Sequence, residues 1–192
     1  MYTYNWYQWL AFFYIYCFFG WIFESTYVSL KQKHFVNRGF LRLPMLPLYG
    51  SGAVMMLWVS LPVYISGVTA STTIEYVTGY VMEQLFKVRY WDYSSQKFQV
   101  HGYICLSSSI AWGFLTILMT EIIHEPVAGV VLNFNQNILL FCVFIVSILF
   151  TADAYESVKE ALALGKSLEA MTKLKEEMED LQSRISALKE EA

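Results

Sequence analysis

Residues 6–30 read WYQWLAFFYIYCFFGWIFESTYVSL, an apolar and aromatic run broken mainly by Gly20 and Glu24. Wound as an α-helix rising about 1.5 Å per residue, it is long enough to cross a hydrocarbon core of about 30 Å. Tyr2, Tyr4, Trp6, Tyr7 and Trp9 open it, and such rings, apolar with one polar tip, settle at a membrane–water boundary. The rest of the chain agrees. Of 192 residues, 56% are hydrophobic and 15% charged, against about 45–50% and about 25% in an ordinary soluble domain. That balance excludes a cytoplasmic enzyme built around a soluble core.

Hydropathy then predicts an all-α, polytopic membrane helix bundle of about five transmembrane helices. Span two covers about 46–65, starting beside Pro44 and Pro47 and ending near Pro62 and Gly67. Span three, 68–88, carries Thr69, Ser71, Thr72, Thr73, Glu75, Thr78, Glu83 and Gln84, so it cannot face lipid all round and belongs inside the bundle. Spans four and five cover 102–123 and 134–151. All basic residues of this region fall in two connections: Lys31, Lys33, Arg38 and Arg42 in one, Lys87, Arg89 and Lys97 in the other. Positive charge stays on the cytoplasmic side, which predicts the N-terminus outside and the C-terminus inside.

Residues 153–192 turn to Glu, Lys, Leu and Ala, good helix formers that cannot stay in lipid, and are expected to form a cytoplasmic amphipathic helix. This tail holds six Lys/Arg against ten Asp/Glu, while residues 1–152 hold seven against six. Neither part has the basic run that a nucleic-acid partner requires. Met171, Leu174, Met178, Leu181, Ile185 and Leu188 alternate spacings of three and four. The stripe fits a coiled coil through which copies or partner subunits associate, and equally a single helix lying on the bundle or the membrane surface. Cys17, Cys105 and Cys142 stand singly, without metal-ligand spacing, and are read as packed thiols rather than as a disulfide or metal site. No cofactor is expected. Met1–Asn5 carries no Lys or Arg and no cleavage pattern follows, so a removable signal peptide is not expected.

Acids in an apolar span must be paired, protonated or turned to a polar cavity. Glu24 lies near the inner end of span one; Glu75 is expected toward the outer part of span three and Glu83 near its inner end. Glu75, Gly79 and Glu83 recur every four residues on one stripe, read either as a polar path or as interhelical hydrogen bonding with close packing. The cytoplasmic loops mix glycine, aromatics and charge: Asn37-Arg38-Gly39-Phe40-Leu41, Tyr49-Gly50-Ser51-Gly52, Arg89-Tyr90-Trp91-Asp92-Tyr93-Ser94 and His101-Gly102-Tyr103. Arg38 and Arg89 are candidate clamps for a phosphate or carboxylate, or else salt-bridge partners of Glu24, Glu83 and Asp92. Trp91 and Tyr93 suit a headgroup layer, and His101 is a candidate proton carrier. Tyr49-Gly50-Ser51-Gly52 lacks the Lys-Ser/Thr of a phosphate loop, so the chain alone does not hydrolyse ATP by that mechanism.

In these segments, with Gly20-Trp21 and Glu24, Pro44 and Pro47, Met82-Glu83 with Phe86, and Cys105-Leu106, the chain resembles the putative ABC-transporter type IV family. Also called the CmpB family, it comprises small bacterial membrane proteins, and the resemblance runs from about Phe12 to Gly113. Three departures stand out: Arg42-Leu43 before Pro44, Tyr90 in place of Trp, and Tyr103 in place of Arg. The resemblance implies a multi-pass protein of the bacterial inner membrane, a permease role and a separate ATPase.

The leading expectation is a permease-like component of unknown substrate, surrounded by membrane lipids. Its path is lined by Glu24, Glu75 and Glu83 and gated by the loops of Arg38, Arg89 and Asp92, with Asn37, Tyr49, Trp91, Tyr93 and His101 as further path or binding candidates. The alternatives are an interfacial protein or enzyme for a lipid or phosphate headgroup, and a scaffold acting through the tail helix. No enzyme class is singled out.

Overall fold

The computed structural model describes residues 3–58 and 63–190. Residues 59–62 of span two, with Pro62, lie outside the described residues, as do Met1, Tyr2, Glu191 and Ala192 and the side chain of Leu188.

Helices occupy the centre of each expected span. Helix α1 (Trp6–Gln32) starts behind Asn5, whose backbone N–H donates to Gln8 Oε1 at 2.9 Å, satisfying a donor that the first turn leaves open. It ends at Lys33, in the left-handed conformation with φ 57°. Helix α2 (Pro47–Trp58) begins on a proline, tolerated in a first turn because no intrahelical N–H is needed there. Helix α3 spans Val63–Phe86. Helix α4 (Leu106–Ile117), a π-helical segment (Leu118–Ile123) and α5 (His124–Asn133) follow without a break. Helix α6 runs from Gln136 to Glu190.

Leu106–Asn133 and Gln136–Ser186 are long and apolar enough to cross a membrane. Helix α1 has the length, but its Tyr and Trp residues lower its mean hydropathy, as the Ser, Thr and Glu residues of α3 do there. Helix α1 buries one face, Tyr7, Ala11, Phe12, Tyr16, Cys17 and Gly20. It turns Phe18, Ile22, Phe23 and Tyr27 outward, and α6 turns out Phe141, Phe144, Ile148 and Leu149.

Several boundaries differ from the sequence expectation. Residues 102–105, expected in span four, belong to a small hairpin in which β1 (Gln99–Val100) pairs antiparallel with β2 (Ile104–Cys105). Its three-residue connection, 101–103, has φ 52° at His101 and 75° at Gly102 and is closed by Tyr103 N–H to Val100 O at 3.1 Å. Residues 124–133, expected as the connection between spans four and five, are helical. Pro126 removes one N–H and crowds the carbonyl four residues back; that residue, Ile122, lies in the wider π segment. The residues expected as span five and as the tail lie on one continuous helix, α6. Met171, Leu174, Met178, Leu181 and Ile185 of the tail stripe are exposed.

Helix α3 packs most extensively on α4, and α1 on α2. The larger core cluster joins Tyr7, Ala11, Phe12 and Tyr16 of α1 to Ala53 and Leu57 of α2, Ala128 and Val131 of α5, and Leu139 and Val143 of α6. At the other end, Phe40 stacks on Phe86 with centroids 5.3 Å apart, Arg42 pairs with Glu160, and Leu43 N–H donates to Asp153 at 2.9 Å. A Cβ on Gly165 would lie 2.5 Å from the Phe86 carbonyl oxygen, so α6 meets the end of α3 at a point only glycine permits. The two basic connections and the start of the tail therefore share one end of the bundle, and Tyr4 and His124 mark the other.

Candidate functional site

Glu75 anchors the site. It lies at the middle of α3 rather than toward one end, because the helix starts at Val63, earlier than expected. The residue is buried, 4% exposed, and three neutral donors reach it. Tyr93 Oη is 3.1 Å from Oε1, Trp112 Nε1 is 3.0 Å from Oε2, and Ser108 Oγ is 3.3 Å from Oε2. Ser108 and Trp112 are four residues apart, so one face of α4 presents both. Among the described residues no Lys or Arg pairs with Glu75. A buried charge without a counter-ion is costly unless hydrogen bonds replace its hydration, and these donors are aimed to do so.

A second acid joins from α1. Tyr49 Oη donates to Glu24 Oε1 at 2.8 Å, and the Tyr49 ring packs on Trp112 with centroids 4.9 Å apart. Space for that ring comes from Gly20, one turn before Glu24, where a Cβ would lie 2.3 Å from Tyr49 Cγ. Glu24, Tyr49, Trp112, Glu75 and Tyr93 thus form one continuous cluster. Beside it, Tyr16, Gly20, Tyr49, Met56, Trp112 and Thr116 line part of a largely apolar cavity of about 120 Å³.

Tyr93 links this cluster to the hairpin loop, where its backbone N–H donates to Gly102 O at 2.9 Å. Burial and the neighbouring Glu75 push its hydroxyl up from the usual tyrosine range, which keeps it protonated. Arg89 Nε bonds Glu83 at 2.8 Å, and its Nη1 lies 3.5 Å from Asp92; the guanidinium also covers the Tyr103 ring, 5.2 Å from the centroid. Two Ser94 hydrogen bonds, from its hydroxyl at 2.5 Å and its N–H at 2.9 Å, and then Arg89 hold the Asp92 carboxyl below the usual carboxylate range. The Glu83 hydrogen bond raises Arg89 further. Arg89 is thus occupied by two acids and a ring, the salt-bridge alternative of the sequence reading.

Arg38 differs. Its Nη2 donates to Tyr90 O at 3.3 Å and its backbone N–H to Ser25 Oγ at 3.1 Å; among the described residues it makes no ion pair. Asn37 Oδ1 accepts from Trp21 Nε1 at 2.6 Å. Trp91 donates to Tyr103 O at 2.9 Å and packs on Gly79, while the exposed His101 has Nδ1 3.2 Å from Tyr76 Oη. Glu24, Tyr49, Glu75 and Tyr93 come together in the interior; Glu83, Arg89, Trp91, Asp92 and His101 gather around the hairpin, with Asn37 and Arg38 beside them.

Sequence reasoning missed Ser108 and Trp112, and it quoted Tyr103 without giving it a role. The Ser108-to-Trp112 spacing, a hydroxyl and an indole one turn apart in an apolar span, was the available signal. The structure buries His124 between two tyrosines. Among the described residues no cluster of three His, Cys, Asp or Glu is placed to hold a metal ion. A family model described as "Putative ABC-transporter type IV" matches residues 11–158. No curated protein and no solved structure matches the chain.

Proposed function

Because the chain belongs to the putative ABC-transporter type IV family, we propose that it is a membrane-embedded, permease-like component. In this reading the Glu24–Tyr49–Trp112–Glu75–Tyr93 cluster is the polar station of the path, and the Arg38 and Arg89 loops form its cytoplasmic gate. The observation that carries it is Glu75: a buried acid at a helix midpoint, held only by neutral donors. Acids in a bilayer interior are costly and are found where substrates or ions pass. The large apolar side chains turned outward from α1 and α6 support five crossings through a lipid solvent. The positive loops support an outside N-terminus and a cytoplasmic tail in a bacterial inner membrane. Five helices are few for a complete transporter, so the chain works as an oligomer or beside partner subunits, including a separate ATPase. The exposed stripe from Met171 to Ile185 is its docking element.

Arg38 favours a second reading. A guanidinium near the end of the bundle with no carboxylate partner suits a phosphate or lipid headgroup. Native mass spectrometry in mild detergent separates the two. Retention of a small molecule by wild type and Arg38→Ala, but not by Glu75→Gln, is the expected result. Loss in Arg38→Ala alone would replace the path by a headgroup site, and no retained molecule in any form would shift the role to a scaffold acting through the tail.

A further inference from the structure

His124 opens α5 directly after the π segment and is 1% exposed. Both ring nitrogens meet tyrosine hydroxyls: Tyr4 Oη lies 3.0 Å from Nε2 and Tyr16 Oη 2.8 Å from Nδ1. The rings of Tyr4, Phe12 and Tyr16 surround the imidazole, with centroids 5.9, 5.2 and 6.2 Å away. The other titratable groups nearby on its own element, Glu121 and Glu125, are exposed, and the α2 and α6 side chains of this core are Ala53, Leu57, Leu139 and Val143. An extra residue in a helical turn rotates everything after it by about 100°, so the π segment decides that His124 faces α1. Such segments recur at functional sites.

A neutral imidazole has one donor and one acceptor nitrogen. A Tyr–His–Tyr chain bonded at both nitrogens can therefore pass a proton by exchanging tautomers. Tyr4 is half-buried, at the end of the bundle opposite the basic loops. Tyr16 lines the cavity whose wall also includes Tyr49 and Trp112, and these donate to Glu24 and Glu75. Glu75 in turn meets Tyr93 of the far loop. Polar groups thus stand at both ends of the bundle and in its interior, with the apolar cavity between Tyr16 and the glutamate cluster. The cavity of about 120 Å³ is large enough to hold water. Its apolar wall, with Phe19, Leu115 and Met119, keeps it dry at rest, the way hydrophobic constrictions gate.

We propose that Tyr4, His124 and Tyr16 form a proton relay and that the protein moves protons between this relay and Glu24 and Glu75 when the cavity fills with water. The proposal rests on the membrane-embedded reading above and names its coupling ion. Tyr4 gives its hydroxyl proton to Nε2 while taking one from outside water. Nδ1 passes its own proton to the Tyr16 oxygen, and the original Tyr16 proton leaves through cavity water to a glutamate carboxylate. One proton crosses, and no heavy-atom bond changes.

The test is proton flux into liposomes that hold the purified protein and an internal pH dye, driven by a potassium gradient with valinomycin. Wild type is expected to conduct well above protein-free liposomes. His124→Gln, which keeps a donor and an acceptor but carries no proton, is expected to lower the rate at least tenfold, as are Tyr16→Phe and Glu75→Gln. Glu121→Gln, an exposed acid one turn away, is expected to match wild type. Should His124→Gln fail to fold, the half-buried Tyr4→Phe makes the same test. Wild-type flux no higher than in empty liposomes, or undiminished flux in monodisperse His124→Gln, Tyr16→Phe or Tyr4→Phe, overturns the relay. A retained, Glu75-dependent ligand without proton flux overturns the relay alone, whereas flux without any ligand overturns the permease reading alone.

Discussion

Replacing Trp112 with Phe removes the N–H that donates to Glu75 Oε2 at 3.0 Å and leaves the ring stack on Tyr49 largely in place. A hydrogen bond to a charged group is worth about 1.5–3 kcal/mol and a neutral one about 0.5–1.5 kcal/mol. The substitution also shrinks a buried ring, which costs stability in its own right, so the single variant is not diagnostic. A double-mutant cycle with Glu75→Gln cancels the volume loss, because the amide oxygen can still accept from Trp112 as a neutral partner. If Glu75 is held as a carboxylate, Trp112→Phe costs about 1 kcal/mol more with Glu at position 75 than with Gln. The assay is reversible unfolding by SDS in mixed micelles at pH 8, followed by reaction of the buried thiols Cys17 and Cys105 in a Cys142→Ser background. A coupling within about 0.3 kcal/mol of zero would refute a charged acid stabilised by neutral donors.

Gly102→Ala and Gly129→Ala are expected to shift stability in opposite directions in the same assay. At Gly102, φ is 75° and a Cβ would lie 2.6 Å from Arg89 Nη1, so a loss of at least about 1 kcal/mol is expected. A Cβ on Gly129, inside α5, would meet nothing within 4 Å, and a gain of about 0.5–1 kcal/mol is expected. Asp92, held low by Ser94 and Arg89, contributes stability that is present above the ordinary carboxylate value and is lost as pH falls through the lowered one. Asp92→Asn should therefore flatten the decline in stability between pH 6 and pH 3, and a decline identical to wild type would contradict that assignment.

Helix positions were legible because each needs only a long apolar run, and α1, α4 and α6 lie where such runs fall. Glu24, Tyr49, Glu75 and Tyr93 were legible as polar residues out of place. Their partners were hidden, because Ser108 and Trp112 are ordinary in an apolar helix until a neighbour's carboxyl faces them. The hairpin at 99–105 escaped because its β ladder is two residues long on each side, and hydropathy cannot separate so short a strand from the start of a span. The π segment escaped for another reason. Residues 124–133 were expected as a connection, and the π segment that joins α4 to α5 leaves no mark in hydropathy.

The three acids read together from the sequence separate once their partners are known. Glu83 is tied to Arg89, so protonating it would leave a guanidinium short of one of its two carboxylates, a loss that holds it in one charge state. Glu24 and Glu75 are held by hydroxyl and indole donors. Protonation of Glu75 at Oε1 leaves the Trp112 bond to Oε2 intact and asks only that the Tyr93 hydroxyl turn from donor to acceptor, which a hydroxyl does by rotation. The same holds for Glu24 and Tyr49. An acid that changes charge without orphaning a cation is suited to receiving and releasing a proton, whereas one locked in an ion pair fixes geometry. Glu83, Arg89, Asp92 and Gly102 accordingly set the shape of the loop that delivers Tyr93, and in the proposed path the chemistry falls to Glu24 and Glu75.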